Sequence, residues 1–197
     1  MRTLIHVPIV HAPSDLGSLA DRVASAYKRE KGARAWTRHV RAVLAAWSAI
    51  ERAIAGLHLD LRRVTLFQDG LPVCGKEFEI VRDLAAAGSP NYCLLLKLME
   101  GGARLAGTED GVLVVREVLL ARDGLKQGRM PRLGAPEDVS ADAQANLMAR
   151  DRFIARRVDE TLRVGETGIL FLGMAHAIDP YLPKDVRVVQ LEFRLLP

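Results

Sequence analysis

Four polar side chains stand at the ends of four apolar runs, where an α/β chain keeps its chemistry. His11 follows residues 3–10, Asp69 follows 64–67, Glu109 follows 103–106 and His176 follows 168–172. Neutral imidazole and carboxylate together suit zinc, manganese or iron, and a site with few protein ligands leaves room for a water that the metal acidifies. Gly173 lies three residues before His176 and allows close backbone approach just after an apolar strand, which makes His176 the strongest of the four. His11 is next, in a loop with Pro13 and Asp15. Asp69 and Glu109, in Gln-Asp-Gly-Leu-Pro and Gly-Thr-Glu-Asp-Gly, would also make satisfactory turns without any chemistry. The set carries more weight than its members.

A late amphipathic segment adds a fifth clue. Leu147, Ile154, Val158 and Leu162 recur at helical spacing, and Asp151 falls inside that stripe with Arg150 at its border. A carboxylate buried without a partner is costly, so Asp151 is expected to pair with an arginine or a backbone donor near the sheet. Arg150 is read either as part of an internal ion pair or as a group that stabilises developing negative charge. Cys74, five residues after Asp69, has no histidine near it in sequence and reads as a small hydrophobe rather than a nucleophile. His6 reads as packed within the first strand, and His39 and His58 as surface residues. The chain contains no Walker loop, GxGxxG, HExxH or GxSxG.

Residues so far apart in sequence can meet only if the strands run parallel and align their carboxyl ends. The periodicities fit. Strands are expected over 3–10, 64–67, 103–106, 168–172 and 186–191. Helices are expected over about 18–31, capped by Ser18, then 35–55, 77–87, 91–100, 112–121 and 140–163. Strands separated by helices imply an α/β fold: a mostly parallel central sheet flanked by helices on both faces, in three layers, as one domain over residues 1–197. Residues 123–139, punctuated by Gly124, Gly128, Pro131, Gly134 and Pro136 and carrying Lys126, Arg129 and Arg132, read as a long loop and candidate lid over an anionic ligand.

Composition narrows the class. The 197 residues are 49% hydrophobic and 26% charged, which suits a folded domain, and no apolar run approaches the roughly 20 residues of a membrane-spanning helix. The N-terminus lacks the pattern of a secretory signal, and two cysteines cannot build a disulfide framework, so a cytoplasmic location is expected. The net charge is +4, with a local basic excess in Lys28, Arg29, Lys31, Arg34, Arg38 and Arg41. With few aromatics interleaved, that run reads as solvated surface and argues against a nucleic-acid partner. The expected partner is a small-molecule or peptide substrate, without a membrane, and a homo-oligomer stays open.

Residues 146–157, NLMARDRFIARR, followed by 169–176, ILFLGMAH, resemble the C-terminal signature of the TraB/PrgY/GumN/Tiki-like family, an Arg-Asp pair on a helix and then a strand ending in Gly-x-x-His. The wider set includes ChaN-like and erythromycin-esterase-like proteins. The family's opening Gly-x-x-His corresponds to Pro8-Ile-Val-His11, with proline where the family has glycine, and its inner-strand glutamate corresponds to Glu109. The resemblance implies an α/β fold and, in some members, metal-dependent hydrolysis. The expected function is therefore a metal-dependent hydrolase using Mn, Co or Zn, with His11, Glu109 and His176 as metal ligands and Glu109, Asp69 and Arg150 in catalytic roles. The alternative is a non-catalytic regulatory or ligand-binding protein that keeps the fold.

Overall fold

A computed structural model of the chain describes residues 1–127 and 140–194. The chain opens with β1 (Arg2–Ile9), and two short 3-10 turns lead into α1 (Ala20–Lys31) and α2 (Ala33–Gly56). Then come β2 (Val64–Gln68), α3 (Glu77–Ala86), α4 (Pro90–Glu100), β3 (Arg104–Ala106) and α5 (Gly111–Lys126). The described chain resumes with α6 (Ala141–Thr161), β4 (Thr167–Gly173) and β5 (Val186–Gln190). The five strands form one sheet in the order β3-β2-β4-β1-β5, and every pairing is parallel.

Alternation along the strands divides the core between the two sheet faces. On one face Ile5, Val7 and Ile9 of β1, Val64 and Leu66 of β2, and Ile169 and Phe171 of β4 pack against Val43, Trp47, Ile50 and Ile54 of α2 and Tyr92, Leu95 and Leu98 of α4. On the other, Leu4, Phe67, Leu170 and Leu172 meet Ile154 and Val158 of α6, together with Leu162. The three-layer α/β architecture follows. Gly168 of β4 is required where these layers are tightest, since a Cβ there would lie 2.7 Å from Leu4 Cδ1 and 3.2 Å from Phe67 Cε2.

Register sets the site. Ile9 is level with Gly173, and Gln68 with Phe171, so β1, β2 and β4 end together at one edge. From the end of β3, α5 runs to pack against both α6 and α1, and none of its residues is buried. Two expectations change here. Residues 123–126 belong to the last turn of α5 rather than to a loop, because helical hydrogen bonds continue to Gln127, whose N–H is shared by the carbonyls of Asp123 and Gly124. The rest of the candidate lid, 128–139, lies outside the described residues. Ser18 does not cap α1: residues 17–19 form a 3-10 turn and Leu19 precedes the helix without a side-chain cap.

Candidate metal centre

Each strand end delivers one group. Asp69 follows β2 and is 5% exposed; its backbone N–H still donates to the Phe171 carbonyl at 2.9 Å, as if the strand continued. Gly70 then adopts φ +76°, a conformation glycine takes without strain, and the turn brings its N–H to Glu109 Oε1 at 3.2 Å. Glu109 follows β3 and is fully buried, fixed by its own N–H on the Leu71 carbonyl at 3.0 Å. His176 follows β4 across the turn that begins at Gly173, whose carbonyl accepts its N–H at 3.1 Å.

Arg150 of α6 reaches into this edge from the side. It donates through Nε to Glu109 Oε2 at 3.0 Å, through Nη2 to Glu109 Oε1 at 2.5 Å and to Asp69 Oδ1 at 2.6 Å, and through Nη1 to Glu117 Oε2 at 2.8 Å. The fork contact with Glu109 is the strong bidentate geometry of a guanidinium on a carboxylate. Glu117 belongs to α5 and also receives the Asn146 amide at 3.4 Å. A single guanidinium thus gathers three carboxylates from three elements.

The other oxygen of Asp69 is turned the opposite way. Asp69 Oδ2 accepts the Gly173 N–H at 2.9 Å and faces two imidazoles, His11 Nε2 at 3.5 Å and His176 Nε2 at 3.7 Å. A Cβ on Gly173 would stand 2.9 Å from that oxygen, so the glycine is what admits it. On the far side of its ring, His176 Nδ1 lies 2.5 Å from Asp151 Oδ1, while Asp151 Oδ2 accepts the Ala177 N–H at 3.0 Å. Asp151 is therefore buried as the stripe implies, but its partner is His176 and a backbone donor, not an arginine. Its neighbour Arg150 points to a different side of the helix and is taken by Asp69, Glu109 and Glu117.

Charge follows from this geometry. Burial opposes the charged form of Asp69, but the His11 hydrogen bond and the His176, His11 and Arg150 charges outweigh it and hold its carboxyl well below the usual range. Burial raises Glu109, Arg150 opposes, and the nearby Asp69 charge helps leave Glu109 above the usual range. Burial works against protonation of His176 and His11, yet both are raised, His176 by Asp151 and Asp69, His11 by Asp69 and Asp15. The two neighbouring carboxylates are thus pushed in opposite directions.

One ligand atom each from Asp69, Glu109 and His176 lies within 4.8 Å of the others, a possible metal-binding triad. The donor set fits a borderline-hard divalent ion, two carboxylates and an imidazole whose remaining nitrogen is oriented by a carboxylate. All five residues named from the sequence meet at this edge, with Asp69 in the compact triad and His11 approaching the same Asp69 oxygen. His11 is the most open of them, its side chain 29% exposed against 4% for His176. Glu117 was not anticipated; the available signal was an acidic residue two turns into a helix that starts beside Glu109. His6 is half-buried with its Nε2 unpartnered, and Cys74 and Cys93 are exposed free thiols, so Cys74 is not the buried hydrophobe expected. No helix among the described residues is long and apolar enough to cross a membrane. The chain matches no protein-family model and no solved structure.

Proposed function

We propose that this chain is a metal-dependent hydrolase of the TraB/Tiki-like type, acting on a peptide, ester or related bond in the cytoplasm. The observation that carries this reading is the convergence of Asp69, Glu109 and His176 on one point at the carboxyl edge of a parallel sheet, where such folds bind ligands. Asp69, Glu109 and His176 would hold the ion, with His11 at the open side. A divalent ion of the Mn, Co or Zn kind supplies Lewis acidity and an acidified water there.

The protein groups have separate tasks. Asp151 holds His176 through Nδ1 and so keeps Nε2 directed at the site. Arg150 fixes Asp69 and Glu109 relative to one another and offsets their charge. Glu109, both of whose oxygens accept from Arg150, would act beside Asp69 as an ionised ligand carboxylate. His11, raised and partly open, can shuttle a proton between the site and solvent. A small-molecule or peptide substrate would enter past His11 and the Gly173 turn.

The second reading, a regulatory or ligand-binding protein without turnover, draws on Arg150. Four of its N–H contacts go to carboxylates, including both oxygens of Glu109, so the network is satisfied without an ion. Metal analysis of protein purified without chelators separates the two. The hydrolase reading expects near-stoichiometric metal, lost in Asp69→Asn and His176→Ala, and turnover on a panel of peptides and esters that depends on it. Wild-type protein that takes up no metal from saturating Mn, Co or Zn moves the assignment to the second reading.

A further inference from the structure

The basic run of the sequence divides in the fold, and one part of it becomes a line. Helix α2 carries four arginines, Arg34, Arg38, Arg41 and Arg52, and one acidic residue, Glu51. Steps of four, three and eleven residues place all four arginines on a single helical face, because eleven residues are close to three turns. That face is directed away from Val43, Trp47, Ile50 and Ile54, which bury α2 against the sheet. All four arginines are exposed, and none makes a side-chain ion pair or hydrogen bond among the described residues. Glu51 lies off the line and is engaged by Lys97 of α4 at 2.5 Å.

What stands between the arginines matters as much. Ala45 and Ser48, which stand on the arginine line itself, are exposed and small, and the exposed Leu44 lies to one side of it. A face built to enter a lipid surface would present large apolar residues beneath its charges. The line itself presents four guanidinium groups with small residues between them, along about 27 Å of helix. One strand of duplex DNA places a phosphate about every 3.4 Å, so that length matches a run of about eight phosphates. Arginine rather than lysine at all four positions suits bidentate contact with phosphate oxygens.

We propose that the outer face of α2 binds the phosphodiester backbone of a nucleic acid, without reading its sequence, through Arg34, Arg38, Arg41 and Arg52. The surface lies on the opposite side of α2 from the sheet and shares no residue with the metal centre, so it stands or falls independently of the hydrolase reading. No aromatic or amide side chain lies on the line to address bases, and the binding is accordingly backbone-directed and sensitive to salt.

The test uses the full chain and a fluorescein-labelled 24-base-pair duplex of mixed sequence, followed by anisotropy from 50 to 200 mM KCl. Four phosphate contacts predict a log Kd against log salt slope of magnitude about 3.6, and Arg34→Gln/Arg38→Gln/Arg41→Gln/Arg52→Gln brings it near zero with at least about a tenfold loss of affinity at 50 mM. A control of equal charge loss elsewhere, Lys76→Gln/Arg122→Gln/Lys184→Gln/Arg187→Gln, keeps most of the slope. Circular dichroism confirms that both variants are folded. Equal losses in the two variants would mean that net charge, not the α2 line, attracts the duplex, and would overturn the proposal. So would binding to phosphatidylcholine vesicles containing 25% phosphatidylglycerol with none to the duplex.

Discussion

A histidine ligates only through the nitrogen its surroundings leave free, and here the choice is made by Asp151. With Oδ1 on His176 Nδ1 and Oδ2 on the Ala177 N–H, the carboxylate fixes both the ring and the turn that carries it. Asp151→Asn keeps the shape and loses the charge, so metal affinity should fall about 10–100-fold, read by isothermal titration with Co or Zn. An unchanged affinity would show that His176 does not ligate through Nε2. Arg150 makes a separate prediction. Arg150→Met leaves Asp69 and Glu109 buried without their counter-charge and should cost about 3–5 kcal/mol in urea unfolding. Arg150→Lys restores only part, since a point charge cannot reproduce a fork that spans three carboxylates. A loss under about 0.5 kcal/mol in the methionine variant, the scale of surface substitutions, would mean the cluster sheds its charge without the arginine. The sequence shows that Asp151 must be buried, because its place in the 147–154 stripe is local information. It does not show the partner, because the 25-residue reach to His176 depends on how α6 lies over β4.

At the scale of elements, the strands and helices are readable from period alone, and what connects them is not. Arg2 illustrates the difference: it is the first residue of β1, yet it ties three elements together. Its guanidinium donates to the carbonyls of Asp159 and Leu162 at the end of α6 and pairs with Asp185 just before β5. Cations at a helix C-terminus are favourable because the last carbonyls lack partners. No feature of the sequence around Arg2 marks this clamp, since all three acceptor residues lie more than 150 residues away. The pair with Arg2 depresses the Asp185 carboxyl from its usual 3.8. A depressed carboxyl adds stability that is present above the unfolded value and lost as pH falls through the folded one. Wild-type protein should therefore melt higher than Asp185→Asn at pH 5–7, and the gap should close only as the pH falls below the unfolded value of 3.8 and through the lower folded one. Melting curves by circular dichroism across that range check it; a gap that persists at the acid end would place the stabilisation elsewhere than in the ion pair.

For the whole molecule, the parallel sheet and its three layers follow from alternating strands and helices, but the strand order does not. The chain puts β4 between β2 and β1, so the sequence-distant ends at Asp69, Gly173 and Ile9 become neighbours. Sequence reasoning could name His11, Asp69, Glu109 and His176 because each ends an apolar run. It ranks His11 above Asp69, but that order carries no depth: Asp69 is buried and His11 partly open only once β2 is seen beside β4. The same topology makes the site a test of global stability. The triad is assembled from loops after three strands, so an unfolded chain cannot offer it, and an ion that binds only the folded form must stabilise the whole. At a free metal concentration of about 100 times Kd, that stabilisation is about 2.7 kcal/mol, or about 5–10 °C in Tm for a chain of this size. Differential scanning fluorimetry with Mn, Co and Zn should show the rise in wild-type protein, its reversal by excess chelator, and no rise in Asp69→Asn. Asp151→Asn should lie between, since it keeps the ligands and loosens one of them. A rise of equal size in Asp69→Asn would locate the ion away from the strand ends and leave the Asp69, Glu109 and Arg150 network as an internal ion cluster alone.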